Sequence, residues 1–494
     1  MPTSRHEEGP ISVLVIDVGT SSVRASIVRP DGEVGHVHRL PLPPAIPAPG
    51  LVEFDPSAMA AAALEVAAAA LAAGGPVEGV GVTAQRSSTV VWDAVTGTPL
   101  GPGLGWQDLR TAGMCLELQG EGFRFSPSET ATKAAWLLDT YDADRTANPR
   151  VGTVDSWITW QLTGGHSHVT DLSNAAVTGL LSAEDRSWRQ DLLDRLRIPT
   201  GAMPAIVDSS GLVGPAVALE GGPVICGIAG DQQASLMGQG CTRPGMAKAT
   251  FGTGAMLDVC TGKQRPGFST RGEGGCFPIV AWSRGGEVTW GVEAIALAAG
   301  STVDWLVEDL GLLGSAGESE EVASSCADTG GVVMVPALLG FGTPQWDFGA
   351  RGTVLGLTRG SGRAELVRAV LEGVANQGAD LLEAAEADAG APVAALRVDG
   401  GMTANGVFVQ ALADACGRPV EVSPQLEATT LGAGYLAGLA VGMWNDEEDV
   451  AAKWRPRVVV DPRDHSNHAA DRARWRLAVK SAGGWYPELS AVQF

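Results

Sequence analysis

Residues 13–28 read Val13-Leu14-Val15-Ile16-Asp17-Val18-Gly19-Thr20-Ser21-Ser22-Val23-Arg24-Ala25-Ser26-Ile27-Val28. An apolar run, a knot of small polar residues and an alternating run predict two strands joined by a tight turn. A Gly-Thr-Ser turn exposes backbone N–H groups and hydroxyls in a concave cluster suited to phosphate oxygens, and glycine lets the backbone approach closely. Asp17, at the strand end, is placed to hold a divalent cation or its water beside those phosphates. A plain hairpin turn asks for the same residue types on conformational grounds, so this stretch alone leaves both readings open.

Outward from it, strands are expected at 12–16, 23–28, 77–83 and 89–92, alternating with helices such as 55–73, an α/β order. The Pro-rich segment 41–50, PLPPAIPAPG, suits neither a helix interior nor a central strand and reads as a surface connection. A weak internal repeat follows: Thr250-Phe251-Gly252-Thr253-Gly254-Ala255-Met256-Leu257 again sets a Gly-Thr knot between strand-like runs. Two such turns on two lobes are able to clamp one nucleotide, although neither carries a GxxxxGK[ST] loop. The boundary is placed near Thr242–Gly245, giving domains at 1–243 and 244–494, with the C-terminal tail expected to pack back on the first. In the second, Leu366, Val367, Val370, Leu371, Val374, Leu381 and Leu382 recur at helical spacing, and 395–398 reads as a strand entering a Gly-Gly turn before a helix at 405–416.

Composition narrows the function classes. A length of 494 residues fits two or three domains, and a formal net charge of −22 repels phosphate backbones and anionic lipid, so no nucleic-acid or membrane partner is expected. Seven scattered cysteines with no Cys-x-x-Cys pair argue against a disulfide framework or structural zinc and fit a reducing cytoplasm. The N-terminus MPTSRHEEGP lacks the apolar region of a signal peptide, and the Ala-rich run at 59–73 is shorter than a membrane span.

Two further clusters carry chemistry. In Gly227-Ile228-Ala229-Gly230-Asp231-Gln232-Gln233 an acid stands at the start of a helix, either as an N-cap or as a carboxylate that takes a proton from a hydroxyl nucleophile. Arg86 and Trp106 follow strand-like segments, where active-site loops gather. In Asp399-Gly400-Gly401-Met402-Thr403-Ala404-Asn405 the glycines let an adenosine lie against the backbone, with Asn405 nearby.

Taken with DVGTSSVRA (17–25), GVTAQR (81–86), GWQDLRT (105–111), VTDLSNA (169–175), GIAGDQQASLMGQ (227–239), FGTGAM (251–256), LRVDGGMTAN (396–405) and TTLGAGYLAGLAVG (429–442), the chain resembles the FGGY family of carbohydrate kinases, most closely its glycerol-phosphorylating members, almost end to end. The resemblance implies two RNase-H-like lobes of the actin and hexokinase type with ATP between them. It implies Asp231 as catalytic base and Asp17 with Asp231 near Mg2+. Thr20, Ser21, Ser22 and Arg24 match the first phosphate hairpin, Thr253 and Gly254 the second, and Gly300, Asp304, Gly401 and Asn405 nucleotide-contacting positions, Asp304 standing where the family often has glutamine. Arg86, Trp106, Asp231 and Gln232 match polyol-binding positions. Ser87 replaces the family's hydroxyl-binding glutamate there, Ser128 a tyrosine and Met256 a phenylalanine, which implies a roomier pocket. The expected activity is ATP-dependent phosphorylation of glycerol or a larger polyol. The alternatives are a pentulose kinase of the xylulose type on the same fold, or an actin-like ATP-gated interaction protein. A homodimer or homotetramer fits the family pattern.

Overall fold

The computed structural model describes residues 11–182, 184–424, 427–463 and 468–492. The segment 1–10, read above as no leader, lies outside them. The opening stretch forms strands Val13–Val18 and Ser22–Val28, antiparallel with Asp17 opposite Arg24, and Gly19 N–H closes the turn on Ser22 O at 3.0 Å. Val34–Pro41 extends the meander, and Gly79–Ala84 and Val224–Gly230 join parallel on the other edge.

Val13–Val18 is buried at every position because it is central and covered on both faces. Leu14, Ile16 and Val18 pack toward the helix Pro56–Gly74, whereas Val13 and Val15 pack toward Ala428–Ala440. Pro56–Gly74 is long and apolar enough to cross a membrane by length and composition. Met59, Ala63, Val66, Ala67 and Ala70 are nevertheless buried in this lobe, and Trp157 Nε1 donates to Pro56 O at 2.8 Å.

The second half repeats the plan. Ala247–Phe251, Ala255–Gly262, Glu287–Ala296 and Phe277–Arg284 form an antiparallel series, and Leu396–Asp399 and Val420–Val422 add parallel to its first strand. The long helix Arg363–Ala389 covers it, burying Val367, Val370, Leu371, Val374, Leu381 and Leu382 as their spacing requires. The two halves join in one thirteen-stranded sheet through Ser210–Pro215, which meets Phe277–Arg284 at Ser210 opposite Arg284.

Two details differ from expectation. Between Leu396–Asp399 and the helix Gly406–Cys416 the chain makes a 3-10 turn, Gly401–Ala404. The element that returns to the first lobe is Ala428–Ala440, not the C-terminal tail: His468–Ala482 packs on the second lobe, where Arg472 pairs with Asp380 at 2.6 Å and Trp475 Nε1 donates to Asp380 at 2.7 Å.

Candidate active site

Three adjacent parallel strands deliver the principal side chains at their C-terminal ends, where open α/β sheets place their ligands. Asp17 lies near the end of Val13–Val18, Arg86 two residues past Gly79–Ala84, and Asp231 directly after Val224–Gly230. Gly230 is the residue that caps the helix Asp231–Gly238, so Asp231 opens the first turn with its carboxylate free of a capping role. Its Oδ1 accepts the Gln232 N–H at 2.8 Å and lies 3.5 Å from Arg86 Nε. Burial raises the Asp231 pKa and Arg86 opposes the rise, which leaves a carboxylate more basic than an exposed one.

Arg86 bridges the lobes. Its guanidinium grips Glu293, on Glu287–Ala296 of the second lobe, through contacts of 2.6 and 3.0 Å. Burial works against its charge, but Glu293 and Asp231 outweigh it and keep the group cationic. Trp106 ties the Ser88 turn to the first hairpin, since its Nε1 donates to Thr20 Oγ1 at 3.2 Å while its backbone N–H donates to Ser88 Oγ at 3.0 Å.

The three replaced positions are now visible. Ser87 holds a left-handed backbone, φ 62°, and its hydroxyl donates to Val177 O at 3.0 Å. Ser128 shares a 2.8 Å hydrogen bond with Ser126 Oγ. Met256 is half-buried on Ala255–Gly262, opposite Thr250 and Ile295.

In the first Gly-Thr hairpin Thr20 is half-buried, Ser21 exposed, and Ser22 buried within its strand. Arg24 is held between Asp17, at 2.9 Å, and Glu427. Asp17 also accepts from Thr430 Oγ1 at 3.2 Å, and its carboxyl is pushed up to about 6 by burial, against Arg24, with help from Asp231 and Glu427. In the second hairpin Thr253 is exposed, and a Cβ on Gly254 would stand 2.7 Å from Ala296 O. Gly300 opens the helix Gly300–Glu308 with its N–H on Gly252 O at 2.8 Å, so hairpin and helix N-terminus are locked together.

Asp304 is exposed on that helix, and among the described residues no hydrogen bond joins it to either hairpin. Gly401 is exposed beside Gly400, whose φ of 93° admits only glycine comfortably. Asn405 caps Gly406–Cys416 by accepting the Phe408 N–H at 3.0 Å, and its amide donates to Ser319 Oγ at 3.0 Å.

Residues unnoticed in the sequence complete the site. Lys133, fully buried, donates to Gly105 O at 3.2 Å and Ser128 O at 2.7 Å, which fixes the Trp106 loop against the Ser128 wall. Burial lowers its pKa to about 7. Glu129 brings a carboxyl to the same wall, its pKa raised by burial to about 7. Lys248 and Asp258 are the single charges of their strands and Glu293 the one interior charge of Glu287–Ala296, a pattern that signals a buried polar purpose when the strand is central.

Twin hairpins on two lobes, a basic carboxylate at a strand end and an arginine spanning the cleft define a phosphotransferase of the two-lobed ATPase class. A model of the FGGY family of carbohydrate kinases, N-terminal domain, matches residues 12–238, and its C-terminal domain matches 247–441. The chain belongs to that family. It is 43% identical to a glycerol kinase of Trichlorobacter lovleyi over 495 residues, covering 96% of this chain and 99% of the relative. A glycerol kinase of Aromatoleum aromaticum is 42% identical with the same coverage. Among solved structures, Plasmodium falciparum glycerol kinase with ADP superposes with a TM-score of 0.88 at 26% identity, over 98% of this chain and 99% of that one. The xylulose kinase of Rhodospirillum rubrum shares the fold, with a TM-score of 0.83 at 24% identity, over 97% of this chain and 99% of that one. The chain is a carbohydrate kinase, an enzyme for ATP-dependent, glycerol-type phosphorylation of a small polyol.

Proposed function

We propose that the acceptor is glycerol and that Asp231 is the base that takes the proton from the reacting hydroxyl. The observation that carries this is the placement of the Asp231 carboxylate, made basic by burial, beside an Arg86 held from both lobes. Arg86, Trp106 and Gln232 orient the polyol so that one terminal oxygen meets Asp231. That oxygen forms the new bond to the γ-phosphorus of ATP, the bond to the β,γ-bridging oxygen breaks, and ADP leaves with the electron pair. The glycerol kinase relatives support glycerol as the acceptor.

Mg2+ fits the donor set. It uses one or two protein carboxylates plus phosphate oxygens and water, and Asp17 and Asp231 are close enough that the charge of one raises the pKa of the other. Among the described residues no group of three His, Cys, Asp or Glu forms a closed cage, as suits an ion carried in with the nucleotide. Bound there, it would neutralise charge on the transferring phosphate. The seven unpaired thiols support a reducing, cytoplasmic setting.

A second reading, a four- or five-carbon polyol, is favoured by Ser87, Ser128 and Met256, which leave less bulk and no carboxylate at position 87. In either case Asp231→Asn removes the base. Turnover should fall by about 100-fold or more, while ATP affinity measured by calorimetry stays near the parent value. A variant that keeps a tenth of parental turnover would exclude Asp231 as the base.

A further inference from the structure

The helix that begins at Asp231 is seated on the second lobe by one polar face. Gln232 and Ser235 are three residues apart and therefore share that face, and Gln239, the C-cap, adds its backbone carbonyl at the helix end. Lys248 Nζ donates to Gln232 Oε1 at 2.7 Å, Ser235 Oγ donates to Asp399 at 3.4 Å, and Arg397 donates to Gln239 O. The partners come from Ala247–Phe251 and Leu396–Asp399, so the face resting on the second lobe is set by that lobe's sheet.

Lys248 occupies a defined place in that sheet. It lies opposite Asp258 on the next strand, and Asp258 lies opposite Glu293 on the one after. Lys248 and Asp258 are wholly buried and pair at 2.8 Å; Glu293 is 3% exposed and grips Arg86. Two carboxylates face each other across adjacent strands, an arrangement that repels unless each has its own cation. Lys248 serves Asp258 and Arg86 serves Glu293. The same two cations then reach the consecutive residues Gln232 and Asp231. Lys248 Nζ also donates to Thr250 Oγ1 at 3.3 Å, so all three of its donors are used.

We infer that Lys248, oriented by Asp258, is a positioning residue that fixes the Gln232 side-chain amide with its oxygen toward the second lobe and its NH2 toward the acceptor. Glutamine offers both an acceptor and donors at one end, and its two orientations are close in shape. Engaging the oxygen with an ammonium leaves only the N–H donors for a polyol oxygen. The acceptor site thus takes its polarity from a cation of the nucleotide-binding lobe, and Lys248 itself touches no substrate. This rests on the reading that Gln232 faces the polyol.

A double-mutant cycle tests it. The pair K248M/D258L exchanges a buried ion pair for apolar side chains, which such sites often tolerate. Calorimetric binding of glycerol and steady-state KM for glycerol and ATP are measured for the parent, K248M/D258L, Gln232→Ala and the combined variant. The expected result is a rise of about tenfold in glycerol Kd and KM for K248M/D258L, little change in KM for ATP, and no additional rise when the pair is changed in the Gln232→Ala background. If K248M/D258L does not fold, as judged by thermal unfolding, the pair K248M/D258N, which keeps the shape of Asp258 without its charge, is read through the same cycle. An unchanged glycerol Kd in the Lys248 variants, alongside a raised one in Gln232→Ala, overturns the inference and leaves Gln232 as an acceptor contact. An undiminished loss in the Gln232→Ala background also overturns it. No effect of Gln232→Ala itself removes the reading on which it stands.

Discussion

Asp17 is buried and Asp231 half-buried, and desolvation holds both carboxyls against ionisation. Asp17 is pushed up to about 6 from an ordinary value of 3.8, and Asp231 shifts in the same direction. Each is protonated below its raised pKa, which would cost Asp17 its hold on a cation and Asp231 its ability to take a proton. The profile of kcat/KM against pH should therefore fall on the acid side through about 6, rather than near 4, because that ratio reports the free enzyme's groups. A flat profile down to about pH 4.5 would contradict the assignment. At the pocket wall, Ser87 spends its hydroxyl proton on Val177 O, so it grips a polyol less firmly than a carboxylate accepting two hydroxyls. Ser87→Glu should raise kcat/KM for glycerol by about tenfold, since hydrogen bonds to a charged acceptor are the stronger ones; no gain in initial-rate assays would show that other groups already hold that hydroxyl. Asp17, Asp231 and Arg86 were legible in the sequence because each follows a strand-like run and sits in a polar knot. Lys248, Asp258 and Glu293 were not. Each is an isolated charge in an apolar stretch of strand, and its meaning comes from cross-strand partners that the stretch itself does not name.

The two Gly-Thr hairpins are built by the same local rule and anchored by different means. Gly19 closes the first by donating to Ser22 O, whereas the second is pinned by the helix beginning at Gly300. A Cβ at Gly300 would lie 2.6 Å from Gly252 O, a backbone atom that cannot step aside without moving the hairpin. Forcing extra bulk into such a contact costs about 1–3 kcal/mol. Gly300→Ala should therefore weaken ATP binding by about tenfold, measured by calorimetry, while glycerol binding without nucleotide stays within about twofold. Equal losses for both ligands would mean that the hairpin supports the whole cleft rather than the nucleotide. At this scale the sequence reads well where structure is local. The expected strand at 23–28 is observed as Ser22–Val28, and the helical spacing around Leu366–Leu382 lies within Arg363–Ala389. The 3-10 turn Gly401–Ala404 was hidden, because two glycines allow several tight connections and only contact with Phe251 selects one: a Cβ on Gly400 would lie 2.4 Å from Phe251 O.

The two lobes share one continuous thirteen-stranded sheet carrying two copies of a strand plan, with Arg86 and Glu293 paired where the copies meet. That duplication was visible in the two Gly-Thr knots. The destination of Ala428–Ala440 was not, since glycines that suit close packing do not say against what. Gly238 and Gly432 face each other's helices so closely that a Cβ on either would overlap backbone, which brings the helix of Asp231 against Ala428–Ala440. From there Thr430 donates to Asp17 and Glu427 accepts from Arg24, so a segment of the second half braces the hairpin near the start of the first. On the function proposed above, this cleft passes the γ-phosphate of ATP to a hydroxyl of glycerol. The most direct measurement compares kcat/KM for glycerol, erythritol, xylitol and D-xylulose at saturating ATP, with the phosphorylated product identified by mass. Glycerol should give the highest value and one glycerol phosphate for each ATP consumed; a ketopentose as the best acceptor, or ATP turnover with no phosphorylated polyol, would rule this function out.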